Sequence, residues 1–284
     1  MRNLLLGTSD NIEKNLVKIK LWSDSFQPYG DVMLITLNAK EFEINLLKKC
    51  NIKVYNISTQ GSLSVNELRI QYQHVVLTNK EIQDNYDLVF VTDVFDVVFQ
   101  QDPSTKCDIE NYDLFMAYEG VLHSEEPWNM DVMKKCLPDF VETISNKLVI
   151  CSGVLAGKPD KLAQLFKHMD DMITISQKGH DIRDQAALNA ILGNLTSNKD
   201  HCYYQNMAIR LFDLNDGWCI HCAVAGPTQF FEPWGFKASI ERRYKIIPDF
   251  IDYDIVHQFN RIPEWNHAIG GYENPYEDKM YAKR

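Results

Sequence analysis

The chain has 284 residues, 45% of them hydrophobic, which is enough apolar material for a substantial folded core. Its formal net charge is −10 and its basic residues are scattered, so the composition excludes a protein that holds nucleic acid through clustered Lys and Arg side chains. The apolar run at residues 4–6 is too short for a signal peptide and no window approaches a membrane-spanning helix, so we expect a cytoplasmic protein without a transmembrane segment. The seven cysteines, an odd number with wide spacing, fit reduced thiols in that compartment.

The first hundred residues alternate between strand and helix patterns. Strands are predicted at 3–7, 32–37, 53–57 and from residue 88, and apolar residues at helical spacing separate them at 12–26, 42–47 and 68–76. This order predicts an α/β fold with a mostly parallel central sheet and helices on both faces. Ligands in such folds bind beyond the carboxyl ends of the strands.

The second half of the chain is less regular. Further strands are predicted at 114–118 and 148–151, and further helices at 161–175 and from residue 181. Aromatic residues dominate from residue 198 onward without a repeat, which favours core packing over a platform for sugars.

Asp93 and Asp96 lie where the apolar strand that begins at Leu88 ends, before the chain becomes apolar again. Carboxylates at the end of a buried strand are costly unless a cation or a charge partner compensates them. Hard oxygen ligands suit Mg²⁺ or Mn²⁺, which commonly bridge a few carboxylates and the phosphates of a substrate. The alternative is that both aspartates are solvated turn residues.

A second possible metal group contains cysteine and histidine. Cys219, His221 and Cys222, with His201 and Cys202 upstream, are four or more potential zinc ligands. A single CxxC pattern without a second pair is a weak signal, so the sequence favours ordinary buried thiols here.

Five segments, in this order, resemble the GT-A-fold glycosyltransferases, most closely the glycogenin-like and galactosyltransferase-like group. They are Arg69 on a helix, Thr92-Asp93-Val94-Phe95-Asp96, Cys151-Ser152-Gly153-Val154, Asp184-Gln185-Ala186-Ala187-Leu188-Asn189 and Val256-His257-Gln258-Phe259-Asn260-Arg261. The resemblance covers most of the chain and rests on the order of the motifs.

The resemblance implies a nucleotide-sugar donor, most simply a UDP-sugar, a glycan or other hydroxyl acceptor, and Mn²⁺ or Mg²⁺ as cofactor. It implies that Asp93, Asp96 and His257 hold the metal against the donor diphosphate. It also implies that Ser152 and Gly153 form a turn beside the donor sugar. The residues implied to contact the donor or its nucleotide are Gly7, Thr8, Arg69, Thr92, Asp93, Ser152, Gly153, Gln185 and Arg261. The implied architecture is one GT-A catalytic domain at 1–265, with a nucleotide-binding half at 1–103 and a donor-sugar and acceptor half at 104–265, before a polar tail at 266–284.

The sequence departs from the family pattern at two places. The acids are usually spaced as Asp-x-Asp, whereas two residues separate Asp93 from Asp96, so one of them could bind metal through water or contact the sugar, and Asp96 is the safer ligand. The family's Lys-Pro-Trp is replaced here by residues 262–265, Ile-Pro-Glu-Trp. The contact to the leaving phosphate is therefore assigned to Arg261, whose planar guanidinium suits phosphate oxygens.

Asp184 is the first candidate for a catalytic residue, because the resemblance places it near the donor sugar or the acceptor. A retaining enzyme would have Asp184 or Gln185 beside the anomeric carbon, whereas an inverting enzyme needs a carboxylate base, for which Asp184, Asp181 and Glu119 qualify. Retention is slightly favoured by analogy. A metal-dependent phosphohydrolase and a catalytically silent sugar-binding module remain alternatives, and the sequence leaves donor, acceptor and oligomeric state open.

Overall fold

The protein is described by a computed structural model over residues 1–59, 65–180, 182–193, 201–222, 238–242, 245–248 and 253–261. The strands are β1 (Asn3–Ser9), β2 (Asp31–Leu37), β3 (Lys53–Ile57), β4 (Leu88–Thr92), β5 (Val97–Phe99), β6 (Leu114–Leu122), β7 (Leu148–Gly157), β8 (His201–Tyr204), β9 (Met207–Phe212), β10 (Cys219–His221), β11 (Ala238–Arg242), β12 (Lys245–Pro248) and β13 (Ile255–His257). The helices are α1 (Ile12–Phe26), α2 (Glu41–Lys49), α3 (Val65–Leu77), α4 (Lys80–Asn85), α5 (Pro127–Cys136), α6 (Val141–Ile144), α7 (Pro159–Ile175) and α8 (Arg183–Leu192). Within these ranges, none of the helices combines the length and apolar character needed to cross a membrane.

A large central sheet confirms the predicted α/β fold. In the described residues its strand order is β3-β2-β1-β4-β7-β6-β9-β8, and four of the seven neighbouring pairs are parallel. The sheet is mostly parallel with helices on its faces, as in GT-A-like Rossmann folds. The strand predicted at 148–151 continues to Gly157 as β7, which runs antiparallel to β4.

Alternation along the central strands divides the core into two halves. In β1, Leu4 and Leu6 pack with residues of α3, α7 and α8, whereas Leu5 packs with residues of α1 and α2 on the opposite face. The same alternation occurs in β4, where Val89 and Phe90 point into different halves. Strands buried on both faces read as continuous apolar runs, which is why the sequence revealed them readily.

A small second sheet joins the C-terminal part of the described chain to the loop after β4. Its order is β10-β13-β5, with β13 antiparallel to β5 and parallel to β10. The register sets His257 opposite Val97 on one side and opposite His221 on the other. This pairing brings His257 next to the two aspartates that precede β5.

Several sequence predictions concern residues outside the described ranges. They include Asp181, the aromatic residues 230–236, the segment 262–265 and the tail 266–284.

Candidate active site

A cleft of about 470 Å³ lies beyond the carboxyl ends of β1 and β4. Its lining contains most of the predicted site residues, which are Thr8, Arg69, Asp93, Asp96, Ser152, Gly153, Gln185, His257 and Arg261. Gly7, Thr92 and Asp184 are not part of this lining. The cleft therefore collects residues from six separate parts of the sequence, as expected for a ligand site in an α/β fold.

Asp93, Asp96 and His257 meet on one wall of the cleft. The Nε2 atom of His257 lies 3.3 Å from Oδ2 of Asp93 and 3.9 Å from Oδ1 of Asp96. One ligand atom from each residue falls within 4.8 Å of the other two. The backbone fixes this arrangement, because the Gln258 N–H donates to the Asp96 carbonyl at 2.7 Å and the Asp93 N–H donates to the Gly153 carbonyl at 2.9 Å.

This wall has the features of a divalent-cation site. The His257 Nε2 atom is buried and has no hydrogen-bond partner among the described residues, although the two aspartates face it. A Cβ atom on Gly153 would come within 2.4 Å of His257 Cε1 and 2.8 Å of Asp93 Oδ2, so glycine keeps the space around both side chains clear. Two carboxylates and one imidazole form a donor set that suits Mn²⁺ or Mg²⁺. The residues therefore fit the metal that the resemblance implies.

The ionisable groups on this wall shift one another's pKa values. Burial opposes ionisation of Asp93, but Arg69 and His257 outweigh it and hold the pKa of Asp93 well below its ordinary value. Burial raises the pKa of Asp96, and the neighbouring Asp93 carboxylate adds to that rise. Burial lowers the pKa of His257, but the two aspartates more than compensate and the net change is upward. These shifts follow from two carboxyl groups that lie close together and are partly removed from water, an arrangement that a cation at this wall would stabilise.

Arg69 of α3 is a cation that the protein itself supplies to this site. Its Nη1 donates to Asp93 and its Nη2 donates to Asp184, so one guanidinium joins the end of β4 to the start of α8. Desolvation alone would lower the pKa of Arg69, but these two carboxylates raise it above its usual value. The predicted role of Arg69 at the nucleotide is compatible with its place in the cleft lining.

Asp184, the first catalytic candidate, lies behind the cleft wall. Only 1% of its side chain is exposed, and it contacts Arg69 and the Ser152 hydroxyl, which donates to Asp184 Oδ2 at 3.3 Å. It therefore contacts two residues of the lining without belonging to it. This position does not support direct contact between Asp184 and a substrate in this conformation, and its catalytic role stays a prediction.

Gly7 and Thr92 do not line the cleft, and their contacts with a donor stay predictions. The Thr92 hydroxyl accepts a hydrogen bond of 2.8 Å from Trp22 Nε1 in the core. A Cβ atom on Gly7 would lie 2.5 Å from Val94 Cγ2 and 2.8 Å from the Trp22 ring, so packing explains this glycine. Thr8, in contrast, lines the cleft, and its hydroxyl accepts a hydrogen bond from Gln73.

Ser152 and Gly153 lie within strand β7 instead of in the predicted turn. The Ser152 N–H donates to Gln185 Oε1 at 2.8 Å, and Gln185 Nε2 donates to Glu119 Oε1 at 3.1 Å and to Asn129 Oδ1 at 2.9 Å. These bonds fix the Gln185 amide at the cleft wall. Burial raises the pKa of Glu119 to about 7, with the nearby Glu126 adding to the effect.

Among the lining residues that the sequence did not reveal, three belong to one segment. Glu126, Trp128 and Asn129 lie at the start of α5, a helix that was not predicted. Glu126 caps this helix by accepting from the Asn129 N–H, and Pro127 follows it at the first helical position, which is a recognisable start signal. The Asn129 side chain donates to Glu119 Oε2 at 3.2 Å and so belongs to the Gln185 network.

Among the side chains that the structure describes, the cysteine and histidine residues near the C-terminal part do not form a four-ligand zinc group. Among the described residues, the groups of ligand atoms close enough to hold a metal are Asp93, Asp96 and His257, and Cys151, His221 and His257. Cys219 and Cys222 belong to different core clusters. Their burial as thiols agrees with the favoured sequence interpretation.

The fold is similar to that of a known glycosyltransferase. The crystal structure of the apo-form glycosyltransferase GlyE of Streptococcus pneumoniae TIGR4 matches with a TM-score of 0.51 and 14% sequence identity. The match covers 91% of this chain and 54% of that one, so this chain spans about half the length of that protein. At this identity the likeness shows the fold alone. No protein-family model and no curated protein matches the sequence.

Proposed function

We propose that this chain is a metal-dependent glycosyltransferase that moves a sugar from a nucleotide-diphosphate sugar, most simply a UDP-sugar, to a hydroxyl of a glycan or other acceptor. The observation that carries the proposal is the meeting of Asp93, Asp96 and His257 on the wall of a cleft that arginine side chains also line. The GT-A-like fold supports it. The proposal includes one catalytic domain at 1–265.

Asp93, Asp96 and His257 are the residues that would hold Mn²⁺ or Mg²⁺. When bound there, the ion would neutralise the donor diphosphate and so make it a better leaving group. Arg261 is exposed at the cleft and would donate hydrogen bonds to the phosphate oxygens. Arg69 orders the carboxylate of Asp93 and keeps it ionised.

Ser152, Gly153 and Gln185 would contact the donor sugar. Hydrogen bonds to Ser152, Glu119 and Asn129 already fix the Gln185 side chain. Little conformational entropy would therefore be lost from Gln185 when a sugar binds. Because Gln185 lines the cleft and Asp184 does not, Gln185 is the better candidate for the group beside the anomeric carbon of a retaining enzyme. Glu119 also lines the cleft and is the carboxyl group that an inverting reaction would use.

The phosphohydrolase alternative needs an aspartate that attacks phosphorus. Asp93 is bound by Arg69 on one oxygen and faces His257 with the other, which favours a ligand role over that of a nucleophile.

Thermal unfolding with a panel of nucleotides tests the proposal. UDP and UDP-sugars should raise the melting temperature in the presence of Mn²⁺ and much less in EDTA, because a ligand that binds the native state stabilises it. GDP and GDP-sugars serve as matched controls for the base. Equal stabilisation with Mn²⁺ and with EDTA would contradict the metal dependence, and no response to any nucleotide sugar would contradict the donor class. NMR of the product sugar then distinguishes retention from inversion.

A further inference from the structure

The second ring nitrogen of His257 has a close and unusual neighbour. His257 Nε2 faces the two aspartates, whereas its Nδ1 lies 2.9 Å from Nδ1 of His221 and 3.5 Å from Sγ of Cys151. The two imidazole planes are nearly perpendicular, at 88°. The parallel register of β10 and β13 sets these histidines side by side, so the backbone determines this contact.

Metal binding by His257 fixes where its proton must be. A neutral imidazole carries one proton, and a ring nitrogen that binds a cation must offer its lone pair. If Nε2 is the ligand atom, Nδ1 carries the proton and needs an acceptor, because the whole side chain is buried. His221 Nδ1 is at hydrogen-bond distance, whereas the Cys151 sulfur is more distant and a weak acceptor.

We propose that His221 is a positioning residue that accepts the Nδ1–H of His257 and thereby holds His257 in its metal-binding tautomer. His221 then carries its own proton on Nε2. This inference rests on the proposed metal-dependent function. Partners of this kind, which orient a metal-binding histidine through its second nitrogen, are a general feature of metal sites.

The surroundings of His221 support a functional reason for its presence. The side chain is fully buried, and its Nε2 has no hydrogen-bond partner among the described residues. An apolar residue would fill this position in β10 without leaving a polar atom unsatisfied. The hydrogen bond with His257 offsets part of the desolvation cost of burying the His221 imidazole.

Two substitutions of His221 distinguish the effect of losing the hydrogen-bond acceptor from the effect of changing the side-chain volume. In H221N the amide oxygen can take the place of Nδ1 as acceptor, whereas H221L has similar volume and no acceptor. Mn²⁺ dissociation constants, measured from the electron paramagnetic resonance signal of free Mn²⁺, should rise roughly 10- to 100-fold for H221L and less than about threefold for H221N. H123L is the matched control, because His123 is also buried but bonds Asn189 and is not part of the cleft lining, so its Mn²⁺ affinity should equal that of the wild type.

A second measurement on the wild-type protein does not depend on the folding of H221L. ¹⁵N NMR of the histidine rings in saturating Mg²⁺ should show the His257 proton on Nδ1 and the His221 proton on Nε2. A proton on His257 Nε2 under these conditions would overturn the inference, as would H221L that binds Mn²⁺ like the wild type. Elemental analysis that finds zinc in the purified protein, lost in H221L, would overturn it in favour of a soft-metal site at Cys151, His221 and His257.

Failure of this inference and failure of the proposed function give different results. If the wild type does not bind Mn²⁺, or if D96N binds it equally well, the proposed metal site itself is wrong. If D96N loses Mn²⁺ and H221L keeps it, the metal site stands and the role of His221 is wrong.

Discussion

Gly153 leaves the space that the side chains of His257 and Asp93 occupy at the predicted metal site. A methyl group at this position would overlap His257 and crowd the Asp93 carboxylate, so we expect Gly153→Ala to separate the two ligands. The variant should bind Mn²⁺ roughly tenfold more weakly or worse, the scale seen when a ligand shell is disturbed. Isothermal titration with Mn²⁺ measures the loss.

Gly193→Ala is the control for that experiment. Its added methyl would meet Ile144 Cγ2 at 2.8 Å, so it introduces a comparable clash outside the cleft. It should cost stability but leave Mn²⁺ affinity unchanged. Wild-type affinity in Gly153→Ala would mean that the metal, if it binds, does so elsewhere.

A second prediction concerns Asp184. Because Asp184 is buried behind the cleft wall, a role in positioning Arg69 and a role in catalysis predict different effects of substitution. Asp184→Asn keeps the shape but removes the charge that Arg69 holds, so the free energy of unfolding should fall by roughly 1–3 kcal/mol and the donor KM should rise. Arg69→Lys, which cannot bridge two carboxylates in the same geometry, should behave alike. Steady-state kinetics and urea unfolding measure these effects.

A catalytic Asp184 would give a different pattern. Turnover would then fall by roughly a hundredfold or more while KM and stability stayed near wild type. Asp113→Asn, which breaks the ion pair with Lys158 outside the cleft, provides the reference for losing a charged partner without touching the site.

Glu119 links the cleft to the pH dependence of stability. Its pKa is about 7 in the folded protein and 4.5 ordinarily, so between these values the native state retains a proton that the unfolded state has lost. The wild type should therefore lose stability relative to Glu119→Gln as the pH rises from 4.5 to 7, by up to about 3 kcal/mol, and the difference should stay constant above that range. Urea unfolding in EDTA at several pH values measures it, and a difference that does not change with pH would show that Glu119 is not shifted.

At the scale of elements, the short strand β13 of the second sheet brings a predicted metal ligand to the loop after β4. It is paired with β5 next to Asp96 and carries His257 at its end. Because an ion held by both would fasten β13 to the loop after β4, Mn²⁺ should slow hydrogen exchange of the amides at 255–258, by up to about a hundredfold when Mn²⁺ is at a hundred times its dissociation constant.

The hairpin of β8 and β9 serves as an internal control for this experiment, since it lies at the far edge of the central sheet. Its exchange rates should not respond to Mn²⁺. Equal slowing in both regions would indicate a general stabilisation and not a link through His257.

The elements also explain what could be predicted from sequence. β1 and β4 are buried on both faces and leave strong apolar runs, and α1 and α7 show clear helical periodicity, so their positions were predicted well. α5 was missed because its pattern is short and polar. The turn predicted at Ser152 and Gly153 was wrong because the glycine serves a close approach of side chains within a strand.

The orientation of individual side chains at the site could not be predicted in the same way. Thr92 and Asp93 are neighbours, yet one points to Trp22 in the core and the other into the cleft, as alternation in a strand requires. The order of motifs along the sequence pointed to this segment but did not show which of its residues faces the cleft. His221 carries no sequence signal for its role, because the contact depends on the register between β10 and β13.

At the scale of the whole molecule the net charge is −10, and four of the acidic residues, Asp93, Asp96, Glu119 and Glu126, line the cleft. A diphosphate brings further negative charge to this wall. The protein's own cations at the site, Arg69 and Arg261, come from α3 and from the segment after β13. A divalent ion at Asp93, Asp96 and His257 would offset this negative charge, as the proposed function requires.

The long separation between Asp96 and His257 has a consequence for the newborn chain. About 160 positions lie between them, so a ribosome that adds roughly 5–20 residues per second needs on the order of 8 to 30 s to supply the histidine after the aspartates. Arg69 precedes both aspartates and is already available to pair with Asp93 during that interval. We therefore expect Arg69 to pair with Asp93 in the nascent polypeptide before His257 has been translated.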